Sequence, residues 1–239
     1  MKAECCLIAV GGSGYRLKKE GIKFPYSKSS LEVLDKPMIH WLLEVLNEVG
    51  IRRVVMTSER KDSLKFVKKL AERNFKHEFD NIKFHLNPGF GSTGLPFQCR
   101  ELIDFPCFFE AGHSFQNPEH YRNMDREYKN GYLIASGFVP KGYAPRFVIE
   151  EKSGKIKYVR RKLSTDGEIE VGSPKIFGKD FVDVLPKLDY DFNNIIPYYA
   201  ESGMFKVVHS DMPLEADVKR EWDEAVPLYE NFINNNNRN

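Results

Sequence analysis

At 239 residues the chain is long enough for one substantial buried core, and its 41% apolar and 29% charged residues are those of a soluble globular protein. The 36 Lys and Arg against 34 Asp and Glu leave a net charge of +2, which gives no support to a nucleic-acid partner. The first apolar run, Cys5 to Val10, is too short for a signal peptide or a membrane span, and Cys5, Cys6, Cys99 and Cys107 have neither CxxC spacing nor a disulfide framework. A cytoplasmic protein with buried, reduced thiols is expected, with no membrane partner.

Taken in chain order, Cys5-Cys6-Leu7-Ile8-Ala9-Val10 reads as a short buried strand that opens into Gly11-Gly12-Ser13-Gly14. Pro37 to Val49 puts Ile39, Leu42, Leu43, Leu46 and Val49 on one helical face, with Gly50 as a stop. Arg52 to Thr57 is a strand, and Arg60 to Asn74 a helix through Leu64, Val67, Leu70 and Ala71. Strand-like runs follow at Ile82 to Leu86, Phe105 to Ala111 and Gly131 to Phe138. This alternation implies a mostly parallel sheet covered on both faces.

After about Gly137 the pattern changes. Phe147 to Ile149, a turn at Lys152-Ser153-Gly154-Lys155, and Ile156 to Arg161 predict an antiparallel hairpin. Gly178 to Leu185 and Phe192 to Glu201 are expected helices, and Met204 to His209 a strand. Arg220 to Ile233 closes as an amphipathic helix, and Asn234 to Asn239 as a polar, disordered tail. There is no internal repeat or Pro/Gly/Ser linker, so one domain over residues 1–233 is expected, with the change of pattern dividing it into halves at 1–136 and 137–233.

The chemistry starts at the glycine turn. Glycines after a strand bring bare backbone amides up to a ligand, and Arg16 and Lys28 add two cations beside them. That combination suits a polyphosphate. Gly11-Gly12-Ser13-Gly14-Tyr15-Arg16-Leu17, Ser27-Lys28 and Lys36-Pro37-Met38-Ile39 together resemble the signature of the nucleotidyltransferase superfamily, which includes the sugar-1-phosphate pyrophosphorylases and small cytidylyltransferases. Tyr15 stands where that family has threonine, and Ser27 where it has proline. Asn87 to Leu95 resembles the family's second, base-flanking loop, and Leu214-Glu215-Ala216-Asp217-Val218 the segment that supplies a metal-binding aspartate. Phe108-Phe109-Glu110-Ala111-Gly112-His113 falls where the family has a strand ending in glycine-aspartate, so His113 replaces the other metal ligand.

The resemblance implies an α/β fold of three layers, Rossmann-like, around a mixed and mostly parallel central sheet, with a nucleotide-binding half at 1–136 and an acceptor-binding half at 137–233. It implies transfer of a nucleoside monophosphate from an NTP to a phosphorylated acceptor, a sugar 1-phosphate or another phosphorylated small alcohol, with release of pyrophosphate. Arg16 and Lys28 would be catalytic. Ala9, Val10, Gly11, Gly12, Ser13 and Gly14, with Asn87, Gly91 and Ser92, would bind the nucleotide. Lys162 and Gly172 would bind the acceptor, although Arg161 stands where a sugar-binding glutamate is usual and favours a more anionic acceptor. Asp217 and His113 would bind the metal. Mg²⁺ prefers hard oxygen ligands and imidazole suits softer ions, so three readings stay open: Mg²⁺ held by Asp217 with the nucleotide phosphates, Mn²⁺ or another softer metal shared with His113, or a site that has lost catalysis and serves a regulatory or scaffold subunit. Whether the chain forms a homo-oligomer is left open.

Overall fold

The apolar run after Glu4 forms the middle strand of the sheet. In this computed structural model the described residues are 1–87, 89, 91–139, 141–152, 155–213 and 216–236, without the side chains of 151, 152, 155 and 157–160. Strand β1 (Cys5–Ala9) leads through the glycine turn into a short helix α1 (Tyr15–Lys19) and a 3-10 turn (Lys28–Ser30). A small ribbon of β2 (Glu32–Val33) and β3 (Lys36–Pro37) precedes α2 (Met38–Glu48), whose N-cap position is Pro37. Then come β4 (Arg53–Ser58), α3 (Lys61–Asn74), β5 (Asn81–Leu86), α4 (Gly91–Gln98), β6 (Cys107–Ala111), α5 (Pro118–Glu127) and β7 (Leu133–Phe138). The second half holds β8 (Arg146–Lys152), β9 (Lys155–Lys162), β10 (Ile169–Phe177), α6 (Lys179–Val184), α7 (Phe192–Glu201), β11 (Phe205–His209) and α8 (Lys219–Asn236).

The main sheet runs β11-β7-β10-β6-β1-β4-β5, with β8 added to β10 and β9 to β8. β1 pairs in parallel with β4 and β6, β4 with β5, and β7 with β11; β10 alone on the main path is antiparallel to its neighbours. Side chains alternate across such a sheet, so each strand feeds two cores. Cys6, Ile8, Val54 and Met56 pack with α2, α3, α5 and α8, while Cys5, Leu7 and Val55 pack with α4, α6 and α7. The three layers and the mixed, mostly parallel sheet are those expected.

Differences lie in both halves. β10, α1, α5 and the β2–β3 ribbon are additions to the expected elements. The hairpin is present as antiparallel β8 and β9, and the turn residues Ser153 and Gly154 lie outside the described residues. α8 continues through Asn236 rather than stopping at Ile233, so the first three residues of the expected tail are helical; 237–239 lie outside the described residues. Among the described residues no helix is long and apolar enough to cross a membrane.

Gly137 on β7 marks where the sheet is tightest. A Cβ there would lie 2.3 Å from Val207 Cγ1 on β11 and 2.9 Å from Ile169 Cγ2 on β10. Overpacking of this kind costs about 1–3 kcal/mol. Gly137→Ala is therefore expected to lower the midpoint of denaturant unfolding with an unchanged slope; an unchanged midpoint would mean that β11 yields without cost.

Candidate functional site: a cation-lined cleft at the end of the parallel strands

β1 ends at Ala9, and Val10 N donates to Thr57 O at 2.9 Å, which carries the chain past β4 into the glycine turn. Gly12 O accepts from Lys28 N at 2.9 Å, so the turn folds over the lysine. Gly14 has φ 61°, and a Cβ there would lie 2.3 Å from Phe24 Cζ and 2.8 Å from Lys28 Cγ. Only glycine meets both demands. Its role is to let the backbone wrap the Lys28 stem.

The Lys28 side chain is buried, and its Nζ donates to Asp217 Oδ1 at 2.8 Å and to Ala216 O at 3.2 Å. Arg16, on α1, donates from Nη2 to Asp217 Oδ2 at 3.0 Å. Arg146, at the start of β8, donates from Nη1 to the same oxygen and from Nη2 to Glu221 Oε2 at 2.8 Å. Glu221 Oε2 in turn accepts from Asp217 N at 2.6 Å, which fixes the Asp217 backbone at the entrance to α8. Burial pushes the Asp217 carboxyl up, but the Lys28 and Arg146 charges outweigh it and hold the group well below the usual carboxylate range. Glu221 goes the other way: burial raises it and Arg146 only partly offsets that.

Around this knot lies a cleft at the carboxyl ends of β1 and β6, where α/β sheets commonly bind ligands. One side, about 310 Å³, is lined by Lys28, His113, Arg146, Phe147, Arg161, Gly172, Ser173, Lys175, Phe192 and Asp217. The other side runs over β1 and β4, lined by Gly11, Ser13, Thr57, Ser58, Glu59, Arg60 and Gly91. Ala9, Gly12 and Ser92 border both. The opening arises in β10: its register with β7 shifts between Gly172 and Lys175, so its later residues pair with β6 and its earlier ones with β8.

Most of the sequence-derived site therefore converges. Ala9, Gly11, Gly12, Ser13, Lys28, Gly91, Ser92, His113, Gly172 and Asp217 line the two sides, and Arg16 reaches Asp217. Val10 and Gly14 shape the turn from behind. Asn87 is fully buried at the end of β5, held by its N–H to Ser58 O at 2.8 Å, and its side-chain amide has no protein partner among the described residues. Pro88 and Phe90 of that loop, and Leu214 and Glu215 before Asp217, lie outside the described residues.

Lys162 does not line the cleft; it is ion-paired with Glu168. Neighbours on a strand face opposite ways, and it is Arg161 that points in. The Arg160 side chain lies outside the described residues. Arg146, Lys175, Phe147, Phe192 and Glu221 are functional candidates that sequence reasoning missed. No motif flags them: Arg146 and Phe147 lie on β8, Lys175 on β10, Phe192 at the start of α7 and Glu221 in the first turn of α8, and only the folded sheet brings these segments together.

The metal expectation meets a thin donor set. Among the described residues no three His, Cys, Asp or Glu side chains are grouped to hold an ion. Asp217 already faces three cations, and Glu110 is fully buried, accepting from Tyr121 OH at 2.8 Å, Ala111 N at 3.0 Å and Ser114 Oγ at 3.2 Å. Glu110 thereby pins the turn that carries His113 instead of supplying a ligand. This arrangement does not fit a divalent-metal cage built by the chain alone.

No family model matches the chain. It is 24% identical over 207 residues to a bifunctional sugar-1-phosphate nucleotidylyltransferase/acetyltransferase of Sulfurisphaera tokodaii, covering 84% of this chain and 49% of that protein, so the chain spans about half the length of this curated relative. Its fold is similar to that of a candidate glucose-1-phosphate thymidylyltransferase from Bacillus anthracis in complex with a sucrose (TM-score 0.77, 13% identity, 94% of each chain). It is also similar to the inositol-1-phosphate CTP transferase of T. maritima (TM-score 0.70, 11% identity, 95% of this chain and 96% of that one). The chain thus has the Rossmann-like fold of the nucleotidyltransferase superfamily, and its resemblance to that superfamily holds in both sequence and fold.

Proposed function

We propose that the chain transfers a nucleoside monophosphate from an NTP to a phosphorylated small-molecule acceptor. The observation that carries this reading is the joining of the glycine turn, Arg16 and Lys28 at one two-sided cleft. The nucleoside would lie over β1 and β4, with Asn87, Gly91 and Ser92 near the base. The amides of Gly11 to Gly14 and Arg16 would hold the β- and γ-phosphates, as bare amides beside cations do for polyanions. The acceptor would lie over β6 and β10, against Gly172.

An oxygen of the acceptor phosphate attacks the α-phosphorus, the bond to the bridging oxygen breaks, and its electron pair leaves on pyrophosphate. No covalent enzyme intermediate is needed, so positioning and charge neutralisation carry the catalysis. Lys28 would meet the charge that grows around the α-phosphate. A divalent ion, Mg²⁺ first or Mn²⁺, would have to come with the nucleotide's own phosphates, with Asp217 as the chain's carboxylate and His113 beside it.

The test is pyrophosphate release across the four ribo-NTPs and dTTP, with pooled phosphorylated sugars and alcohols, in Mg²⁺, Mn²⁺, Co²⁺ and Zn²⁺ separately. Release that needs one NTP and one acceptor is the expected result. Nucleotide binding by calorimetry with no release in any metal would replace this reading with the non-catalytic nucleotide-binding subunit.

A further inference from the structure

One carboxylate of the cleft is shared by three cations from three separate segments. Arg16 on α1 donates to Asp217 Oδ2 at 3.0 Å, Lys28 in the 3-10 turn donates to Oδ1 at 2.8 Å, and Arg146 on β8 also donates to Oδ2. Donors that meet on the two oxygens of one carboxylate are close enough to meet on one phosphate, whose oxygens accept the same charge-assisted bonds. The glycine turn adjoins them: a Cβ on Gly12 would lie 3.4 Å from Lys28 Cε.

This knot can exchange its anion and keep its shape. Arg146 is anchored from behind, because its Nη2 donates to Glu221 Oε2 at 2.8 Å while Nη1 faces Asp217. Lys28 is anchored by Ala216 O at 3.2 Å. Both side chains are buried, so their charges are little screened. Arg16 is exposed, and Lys28, Arg146 and Asp217 line the cleft, so an incoming anion has a path to all three cations.

The same geometry works against a divalent ion at Asp217. An ion on either oxygen would sit beside three positive side chains, and like charges repel most strongly where burial removes screening. His113 stands where the family has an aspartate and brings no negative charge. Among the described residues no three His, Cys, Asp or Glu side chains are grouped to offset that repulsion. The chain's own cations supply at the glycine turn the positive charge that an ion would otherwise bring.

We propose that the chain binds the nucleotide's phosphates with Arg16, Lys28 and Arg146 and needs no divalent ion to do so, the phosphate taking the hydrogen bonds that Asp217 accepts in the free protein. This rests on the nucleotidyl-transfer reading for the identity of the ligand. It concerns binding alone, and an ion that arrives with the nucleotide is left to the transfer step.

Calorimetry of inorganic triphosphate on the whole native protein, once in EDTA and once in excess Mg²⁺, tests this without any variant. Affinity in EDTA at least equal to that in Mg²⁺ is expected. Weaker affinity in EDTA than in Mg²⁺, or no binding in either, overturns the inference. Arg146→Gln should lower the EDTA affinity roughly tenfold to a hundredfold, the range for hydrogen bonds to charged groups, and lower the Mg²⁺ affinity less. Arg146→Lys returns the charge and should recover part of the loss. Arg53→Gln removes the same charge at the start of β4, the end of the sheet away from the cleft, and should change neither affinity. An Arg146→Gln protein, folded by circular dichroism, that binds triphosphate in EDTA as the native protein does would remove Arg146 from the cradle, as would an equal loss in Arg53→Gln. The underlying reading fails separately: triphosphate binding in EDTA with no pyrophosphate from any NTP and acceptor keeps this inference and removes the transfer, whereas pyrophosphate release with Mg²⁺-dependent binding does the reverse.

Discussion

Lys28→Ala is expected to lower turnover by about 10²–10³-fold, the scale for removing one preorganised charge donor from a transition state. NTP affinity should fall by less than about tenfold, because the glycine-turn amides and Arg16 remain. Lys28 differs from Arg16 in depth: its side chain is 9% exposed against 45% for Arg16. A buried ammonium is less screened, so its charge acts more strongly on a phosphoryl group that reaches it. The variant should also fold. Asp217 keeps Arg16 and Arg146, so no carboxylate is stranded, and the cost is the loss of the buried lysine stem, about 1–2 kcal/mol. Pyrophosphate release and calorimetry on the same preparation check both halves. Turnover near that of the native protein would move the α-phosphate role to Arg146, the other buried cation on Asp217.

That Lys28 could be singled out early, and Arg146 not, follows from how each is held. Lys28 lies a short loop from the glycines that wrap it, so the local sequence carries the relation. Arg146 reaches Asp217 across 71 residues, and nothing in Pro145-Arg146-Phe147 marks it as more than the start of a strand. The first half of the fold was legible for the same reason: strand and helix alternate with clean periods from Cys5 to Asn74, and both faces of β1 are buried. β10 was hidden because Gly172-Ser173-Pro174 interrupts its apolar pattern, and a proline in a strand is normally confined to edges or irregularities. Here a register shift at that point accommodates it. The neighbouring pair Arg161 and Lys162 shows a finer limit. Both were visible as cations, but which one faces the cleft depends on the phase of β9, and a phase error of one residue exchanges inside for outside. α5, by contrast, carried a usable signal: Asn117 caps it by accepting from His120 N at 2.7 Å, Pro118 follows at the first position, and Tyr121 and Met124 are buried on one face.

Asp217→Asn is expected to destabilise the protein by about 2–4 kcal/mol at neutral pH, and polyphosphate should rescue it more than it helps the native chain. The carboxylate neutralises Lys28, Arg16 and Arg146 at once, and its removal leaves three cations converging on an uncharged amide. Stranding one member of a buried pair costs about 3–5 kcal/mol, and the 20% exposure of the Asp217 side chain reduces that by screening. Its depressed carboxyl implies a stability contribution that is fully present above the ordinary carboxylate value near pH 4 and is lost as the pH falls through the lower folded value. The native protein and the Asp217→Asn variant should thus melt apart at pH 7 and converge as the solution is acidified below about pH 4. Inorganic triphosphate, which brings its own negative charge to the same three cations, should narrow the gap at pH 7 by preferential binding to the folded variant. Equal melting at pH 7 would mean that solvent already screens the cluster. A gap that triphosphate leaves untouched would mean that the three cations are a structural knot closed to phosphate, and the polyphosphate cradle would then have to be sought along the glycine turn alone.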